Sequence, residues 1–328
     1  MRRYNNLFNK IFTLDNLNNA YHSAKKNKKN KKKVLELTLN RGHELNKLYE
    51  EIHNGTYEVT PYNEFTIYEP KERKISAPAF RDSIVQHAIY KAIYPIFEKT
   101  LIKETYGCRI GYGIYDGLNM AREYLKQSPK DSYYLQLDIR KYFYSLDKEI
   151  LLNILQSKIK DKRLINIIEK FLPYSEGVPL GNLLSQFFGL IYLSKLDNYI
   201  KRILRVKKYI RYVDDFILIG LTKPQCVYYK NIIIDYLNTE LNVSISKCSI
   251  NRVSKGINFI GFRIFKHYSL VRKPTYNRFK QWVKNKDIIR IVCGIAHASK
   301  TMSINKYKEI LLDSNLYDKL TDNVKNHL

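Results

Sequence analysis

The sequence predicts an α+β chain in which a small sheet is backed by helices and flanked by mostly helical segments. β-prone and helical patterns alternate through the middle of the chain. Two apolar β-prone runs carry carboxylates, one ending at Asp138 and one folding around Asp214-Asp215. The segments before residue 60 and after residue 265 read as helix. The same alternation also suits a doubly wound parallel sheet, so pattern alone leaves both architectures open.

In chain order, residues 1–33 hold ten basic residues and one acid, including the block Lys25 to Lys33. A like-charge block of this kind is a solvated loop or a contact for RNA or an acidic partner. Residues 34–54 read as one amphipathic helix ending at Gly55. Phe65–Pro70 and Arg73–Pro78 are short β-prone runs, each stopped by Pro, and they predict a hairpin. Asp82 is placed to cap a helix over 82–99, with a kink at Pro95. A Gly-rich turn at 107–117 leads through a helix into Tyr133–Asp138, a buried type of strand. Helical periods return at 148–171, and after Gly177–Asn182 one long helix is expected from Leu183 to Ile203. Two strands surround Asp214-Asp215. A helix at 224–239, a strand near 243–247, a hairpin at 257–265 and a helical C-terminal segment follow.

Lysine and arginine total 57 against 31 acids, a net charge of +26. Self-repulsion of that size favours a polyanionic partner, with nucleic acid first and an anionic membrane surface second. A merely lysine-rich or ribosomal protein is the plainer reading of charge alone. Cys108, Cys226, Cys248 and Cys293 are scattered without a C-x-x-C pair, so neither a zinc cluster nor a disulfide framework is suggested, and a reducing cytoplasm fits. The N-terminus is too polar for a leader peptide. The longest apolar stretch, Phe187 to Leu193, falls far short of the roughly 20 residues of a membrane span.

In Tyr209–Ile219 two adjacent carboxylates interrupt an apolar run whose one other charge is Arg211. A continuous strand would push a carboxylate into a packed face, at a cost of several kcal/mol. A tight hairpin with the acids at its tip avoids this. Asp-Asp as a plain turn signal is the bland alternative. Tyr133–Asp138 weighs against it, because two strands ending in carboxylates can lie side by side. Such a cluster repels itself without a cation, and hard oxygen ligands favour Mg²⁺. Two such ions about 3.5–4 Å apart can clamp both oxygens of a phosphoryl transfer.

These residues carry a resemblance. Tyr212-Val213-Asp214-Asp215 resembles the Y-x-D-D motif of reverse transcriptases, and Asp138 with Phe143 resembles their first catalytic motif. Leu180-Gly181-x-x-x-Ser185-Gln186 stands where most such enzymes have Gln-Gly-x-x-x-Ser-Pro. That departure is similar to the reverse transcriptases of diversity-generating retroelements. Tyr68 to Pro78 with Phe80-Arg81-Asp82, Tyr106 to Gly113, and Asn258 to Arg263 resemble further segments of the same subgroup, as does Arg3-Tyr4 through Tyr21. The likeness covers nearly the whole chain and weakens after about 290.

The resemblance implies a right-hand polymerase of fingers, palm and thumb, with a small antiparallel palm sheet backed by helices and a helical thumb. Its implied divisions are a basic helical extension at 1–60, fingers at 61–130, palm at 131–265 with a fingers-associated segment around 148–185, and thumb at 266–328. Asp138, Asp214, Asp215 and the Ile139 carbonyl would hold two Mg²⁺ ions, with Mn²⁺ as a substitute. Lys247 would act as general acid, against the reading of a surface lysine. Arg73, with Lys71 or Lys74, would meet the triphosphate. Phe143 would exclude a ribose 2′-hydroxyl, and Leu180, Gly181 and Gln186 would line the nucleotide pocket. Lys266, Arg272, Lys273, Arg278 and Lys280, interleaved with aromatics, would grip template and primer, although an amphipathic helix explains them too.

The implied activity is copying of a template-repeat RNA into cDNA from deoxynucleoside triphosphates, with misincorporation opposite adenine, beside a small basic accessory protein. The alternatives are another prokaryotic reverse transcriptase (retron, group II intron or phage-defence type) and a non-catalytic RNA-binding scaffold.

Overall fold

The computed structural model describes residues 3–68, 71–172 and 177–328. Glu69 and Pro70, where the first β run was expected to stop, lie outside the described residues. The chain forms two compact units from interleaved segments. The first is built from Met1–Lys103, Ile139–Ile203 and Ile234–Ser246, and the second from Glu104–Asp138, Leu204–Ile233 and Lys247–Leu328.

The first unit is mostly helical. Helix Leu14–Lys25 starts at Thr13, whose hydroxyl accepts from the Asn16 N–H, and it packs on helix Phe80–Glu98. The helix expected over 34–54 is two, Lys32–Leu39 and Arg41–His53, because Asn40 leaves helical geometry between them. Asn competes for nearby backbone groups and is a weak helix interior residue. Strands β1 (Asn63–Ile67) and β2 (Arg73–Ala77) form the expected antiparallel hairpin.

Asp82 does not cap its helix. Ala79 stands at the cap, and Asp82 is buried, accepting from the Tyr57 hydroxyl at 2.8 Å and the Thr60 N–H at 3.0 Å. Burial pushes its carboxyl up against those two hydrogen bonds. The single helix expected to reach Ile203 is also broken. Helix Leu183–Tyr192 ends where the Ser194 hydroxyl donates to the Ile191 carbonyl, and Ser194–Asn198 then runs into a π turn at Tyr199–Ile203.

The second unit is built on a five-stranded sheet. Its strands are β3 (Thr105–Tyr106), β4 (Tyr133–Ile139), β5 (Tyr209–Tyr212), β6 (Asp215–Leu221) and β7 (Ile245–Arg252), in the order β3-β5-β6-β4-β7. β4 and β5 both pair antiparallel with β6. The sheet is not wholly antiparallel, as had been expected, because β3 joins β5 in parallel. A parallel neighbour requires a long connection, and these two strands are about 100 residues apart.

Strands β8 (Ile257–Phe259), β9 (Phe262–Ile264) and β10 (Ser269–Val271) form a second, antiparallel sheet. The segment after 265 is therefore not all helix. β10 precedes helices Lys273–Lys284, Ile288–Ala298 and Ser303–Asp313. One core joins Leu118 and Leu125 of helix Ile114–Lys126 to Ile210 and Ile217 of the first sheet, Phe259 and Phe262 of the second, and Phe279, Ile291 and Tyr307 of the C-terminal helices. Among the described residues no helix is long and apolar enough to cross a membrane.

Candidate active site

The site begins with the register of the second unit's sheet. Asp138, near the end of β4, faces Asp215, the first residue of β6. β5 and β6 are joined by the two residues Val213 and Asp214, with Tyr212 opposite Asp215. Asp138 and the distant Asp214-Asp215 pair thus share one end of the sheet, and the tight hairpin has the form expected from the apolar run.

The hairpin tip is strained. Val213 sits at φ 58°, a left-handed conformation that a β-branched residue adopts at a cost of roughly 1–3 kcal/mol. Three contacts impose it. The Val213 N–H donates to the Tyr106 carbonyl at 3.2 Å, and the Arg211 guanidinium donates to the Val213 carbonyl at 2.8 Å. Gly107 closes the third side, where a Cβ would stand 2.8 Å from Val213 Cγ2. Arg211, the one cation of the run, is fully buried.

Burial pushes the Asp215 carboxyl up to about 7, with Asp138 and Asp214 adding to the rise. Gln136 and Arg272 oppose it. The Gln136 amide lies 2.9 and 3.1 Å from the two Asp215 oxygens and 3.0 Å from the Asn258 carbonyl, to which it also donates. Gln136 lies two residues before Asp138 and hence on the same face of β4.

Carboxylates drawn to one end of a sheet offer hard oxygen ligands to a cation. Among the described residues no group of three or more His, Cys, Asp or Glu side chains is arranged to hold a metal ion. Carboxylates paired in the way Asp138 and Asp215 are suit an ion that keeps waters and takes further ligands from a substrate. Ile139, beside Asp138, ends β4 and can offer its carbonyl.

Lys247 lies within β7 and is exposed. It lines a cavity of about 480 Å³ with Asn258, Arg263, Arg272, Lys273 and Tyr276. Two of the five predicted nucleic-acid residues, Arg272 and Lys273, are thus grouped with Lys247. Lys266 lines a different cavity, with Phe265 and Tyr268. Arg278 donates to the Thr275 hydroxyl at 3.5 Å, and Lys280 stands 5.0 Å from the Tyr276 ring.

The predicted nucleotide residues belong to the first unit. Phe143 packs on Gly189, where a Cβ would meet its ring at 2.8 Å. The Ser76 N–H of β2 donates to the Leu180 carbonyl at 2.7 Å, and Gly181, at φ 102°, has room for no Cβ beside Ile75. β2, Leu180 and Gly181 are therefore one assembly. Arg73 and Lys71 are exposed, Lys74 pairs with Glu64 at 2.6 Å, and Gln186 is exposed on its helix.

Gln86 holds this assembly and escaped the sequence reading. Its amide nitrogen donates to Asn182 Oδ1 at 2.6 Å, and its oxygen accepts from the Leu183 N–H at 3.1 Å. Asn182 in turn donates to the Ser76 carbonyl at 3.1 Å.

Residues 67–264 match the family described as reverse transcriptase (RNA-dependent DNA polymerase). The chain is 26% identical over 277 residues to "Protein YkfC" of Escherichia coli K12, covering 69% of this chain and 72% of that protein. It is 23% identical over 318 residues to "Group II intron-encoded protein LtrA" of Lactococcus lactis, covering 71% of this chain and 53% of that one. The chain thus spans about half the length of the intron protein. The fold is similar to that of apo telomerase from Candida tropicalis, with TM-score 0.53 and 12% identity, covering 80% of this chain and 58% of that one.

Proposed function

The chain belongs to the reverse transcriptase family, and from that premise we propose that it is an RNA-directed DNA polymerase whose catalytic carboxylates are Asp138, Asp214 and Asp215. The observation that carries this reading is the register that sets Asp138 opposite Asp215 at the tip of the Asp214-Asp215 hairpin. Reverse transcriptase domains depend on divalent metal, and the three acids with the Ile139 carbonyl would hold Mg²⁺, or Mn²⁺ in its place. When bound, the ions supply Lewis acidity to the attacking 3′-hydroxyl and to the leaving pyrophosphate.

The chain's own residues do the rest. Gln136 orients Asp215 through both carboxylate oxygens. Lys247 is the proton donor to pyrophosphate. Arg272 and Lys273 contact the primer–template backbone, with Lys266, Arg278 and Lys280 extending that surface. In the first unit Arg73, assisted by Lys71, binds the triphosphate, and the Phe143 ring excludes a 2′-hydroxyl. Five-stranded sheet, hairpin-bearing helical unit and C-terminal helices are read as palm, fingers and thumb.

Leu180 and the Ser185-Gln186 pair support a diversity-generating retroelement enzyme, which copies a template-repeat RNA and misincorporates opposite adenine beside a small basic accessory protein. An apolar Leu180 offers no hydrogen bond, so base selection would rest on shape, which discriminates by only about 1–3 kcal/mol. A group II intron type of enzyme is the second reading, favoured by the likeness to the Lactococcus intron protein. Primer extension on poly(rA) with Mg²⁺ tests the polymerase reading. Asp214→Ala should reduce extension by about a thousandfold or more while the fold persists, and retained activity refutes it. Sequencing the cDNA made on the cognate RNA separates the two subgroups by errors at adenine.

A further inference from the structure

We infer that the first unit carries a second nucleic-acid site, a groove for a single strand beside the π turn at Tyr199–Ile203. The inference goes beyond the polymerase reading, since it concerns binding by residues that reading does not use.

Two cavities of about 390 and 310 Å³ share Thr100, Lys158, Asn198 and Arg202 in their linings, so they form one continuous groove. Each is about the size of a small-molecule pocket. Lys99, Lys158, Lys195 and Arg202 line it, and among the described residues no acidic side chain does. Among the described residues none of these four cations has an ion pair or a side-chain hydrogen bond. Four unneutralised cations in one concavity are a site for a polyanion.

Two further observations choose the polyanion. Tyr199 and Tyr236 both line the groove and are stacked, with centroids 4.2 Å apart and planes 14° from parallel. Such a pair extends naturally to a third ring, and a single strand exposes base faces that a duplex hides. The Asn198 amide nitrogen donates to the Thr100 and Ser194 carbonyls, which fixes the amide and leaves its buried Oδ1 without a donor. A base amino group or a ribose hydroxyl supplies a donor. An ionised acidic peptide side chain supplies neither a donor nor a ring. The π turn at the rim is the kind of helix irregularity that often marks a functional site.

The test uses the full chain and a fluorescein-labelled single-stranded uridine dodecamer, with unlabelled template–primer duplex in saturating excess. Lys158→Glu/Arg202→Glu should weaken dodecamer binding about tenfold. It should also make the salt slope of log K shallower by about 1.4, the value for two lost single-strand phosphate contacts. Tyr236→Leu, which keeps every cation, should weaken binding about fivefold or more through lost stacking. Extension of a short template–primer should stay within twofold for both variants. Should the reversal variant fail to fold, Lys158→Gln/Arg202→Gln asks the same question. A deoxyuridine dodecamer distinguishes RNA from DNA as the strand bound. Unchanged dodecamer affinity overturns the inference, and so does displacement by polyaspartate as strong as by RNA of equal charge. Wild-type protein that binds the dodecamer but extends nothing would sink the polymerase reading and leave this site standing.

Discussion

Gly107→Ala is the sharpest probe of the hairpin that carries Asp214 and Asp215. Gly107 and Gly111 lie in one turn and share a φ of 78°, but they differ in surroundings. A Cβ at Gly107 would stand 2.8 Å from Val213 Cγ2 and 3.2 Å from Tyr212 Cζ, whereas one at Gly111 meets nothing within 4 Å. Forcing an L-residue left-handed costs ~1–2 kcal/mol at either position. Overpacking adds ~1–3 kcal/mol at Gly107 alone. The obstacle is the side chain of a residue already tied at both its N–H and its carbonyl, so the hairpin tip must move. At 1.36 kcal/mol per tenfold, an overpacking term of that size corresponds to about 5- to 150-fold in rate if it is expressed as displacement of the carboxylates. Steady-state primer extension should therefore fall at least about fivefold for Gly107→Ala and less than threefold for Gly111→Ala, with thermal denaturation run alongside. Gly107→Ala/Val213→Ala, which deletes Cγ2, should recover most of the difference. Equal losses at the two glycines, or no recovery in the double variant, would show that the Gly107–Val213 contact does not position the carboxylates.

Other perturbations have equally definite outcomes. Gln86→Leu leaves the Leu183 N–H and Asn182 without their partner, and urea denaturation should show a loss of about 2–4 kcal/mol for two buried hydrogen bonds. His297, stacked on Phe262 with centroids 4.5 Å apart, is held below the ordinary histidine value of 6.5 by burial, with the Arg278 charge adding to the effect and a Gly261 backbone hydrogen bond opposing it. The unfolded chain then binds more protons, so its contribution is complete above pH 6.5 and is lost as pH falls through the folded value. His297→Phe should flatten the stability–pH curve in that acid window, and an unaltered curve would contradict this. Leu180→Gln should lower misincorporation opposite adenine in sequenced cDNA, and an unchanged error spectrum would sever the link between this side chain and fidelity.

The carboxylate end of the sheet was legible because its chemistry conflicts with its setting. Acids inside apolar β-prone runs have few physical solutions, and the hairpin with Asp138 alongside is one of them. Gln136 was not singled out from the sequence, because its target Asp215 arises only from strand register. β3 has two residues and β10 three, too short for any periodicity to register. Asp82 has an N-cap signature in sequence, yet the Tyr57 hydroxyl claims it in the folded chain. The break after Tyr192 rests on one Ser194 hydroxyl, a local competition that hydrophobic pattern does not encode. The groove beside Tyr199 gathers residues from five stretches of chain, so no spacing announces it.

Interleaving of the two units has a consequence for synthesis on the ribosome. The first unit has all its segments once Ser246 has emerged, but the second lacks Lys247–Leu328, which brings Phe259, Phe279 and Ile291 to its core. At ~5–20 residues per second those last residues take about 4–16 seconds to make. During that interval Ile210 of β5 and the apolar β6 wait without the hydrophobic cover they will later have. Lys207 and Lys208 immediately precede β5, and charge flanking an apolar strand disfavours aggregation of a nascent chain in such a window.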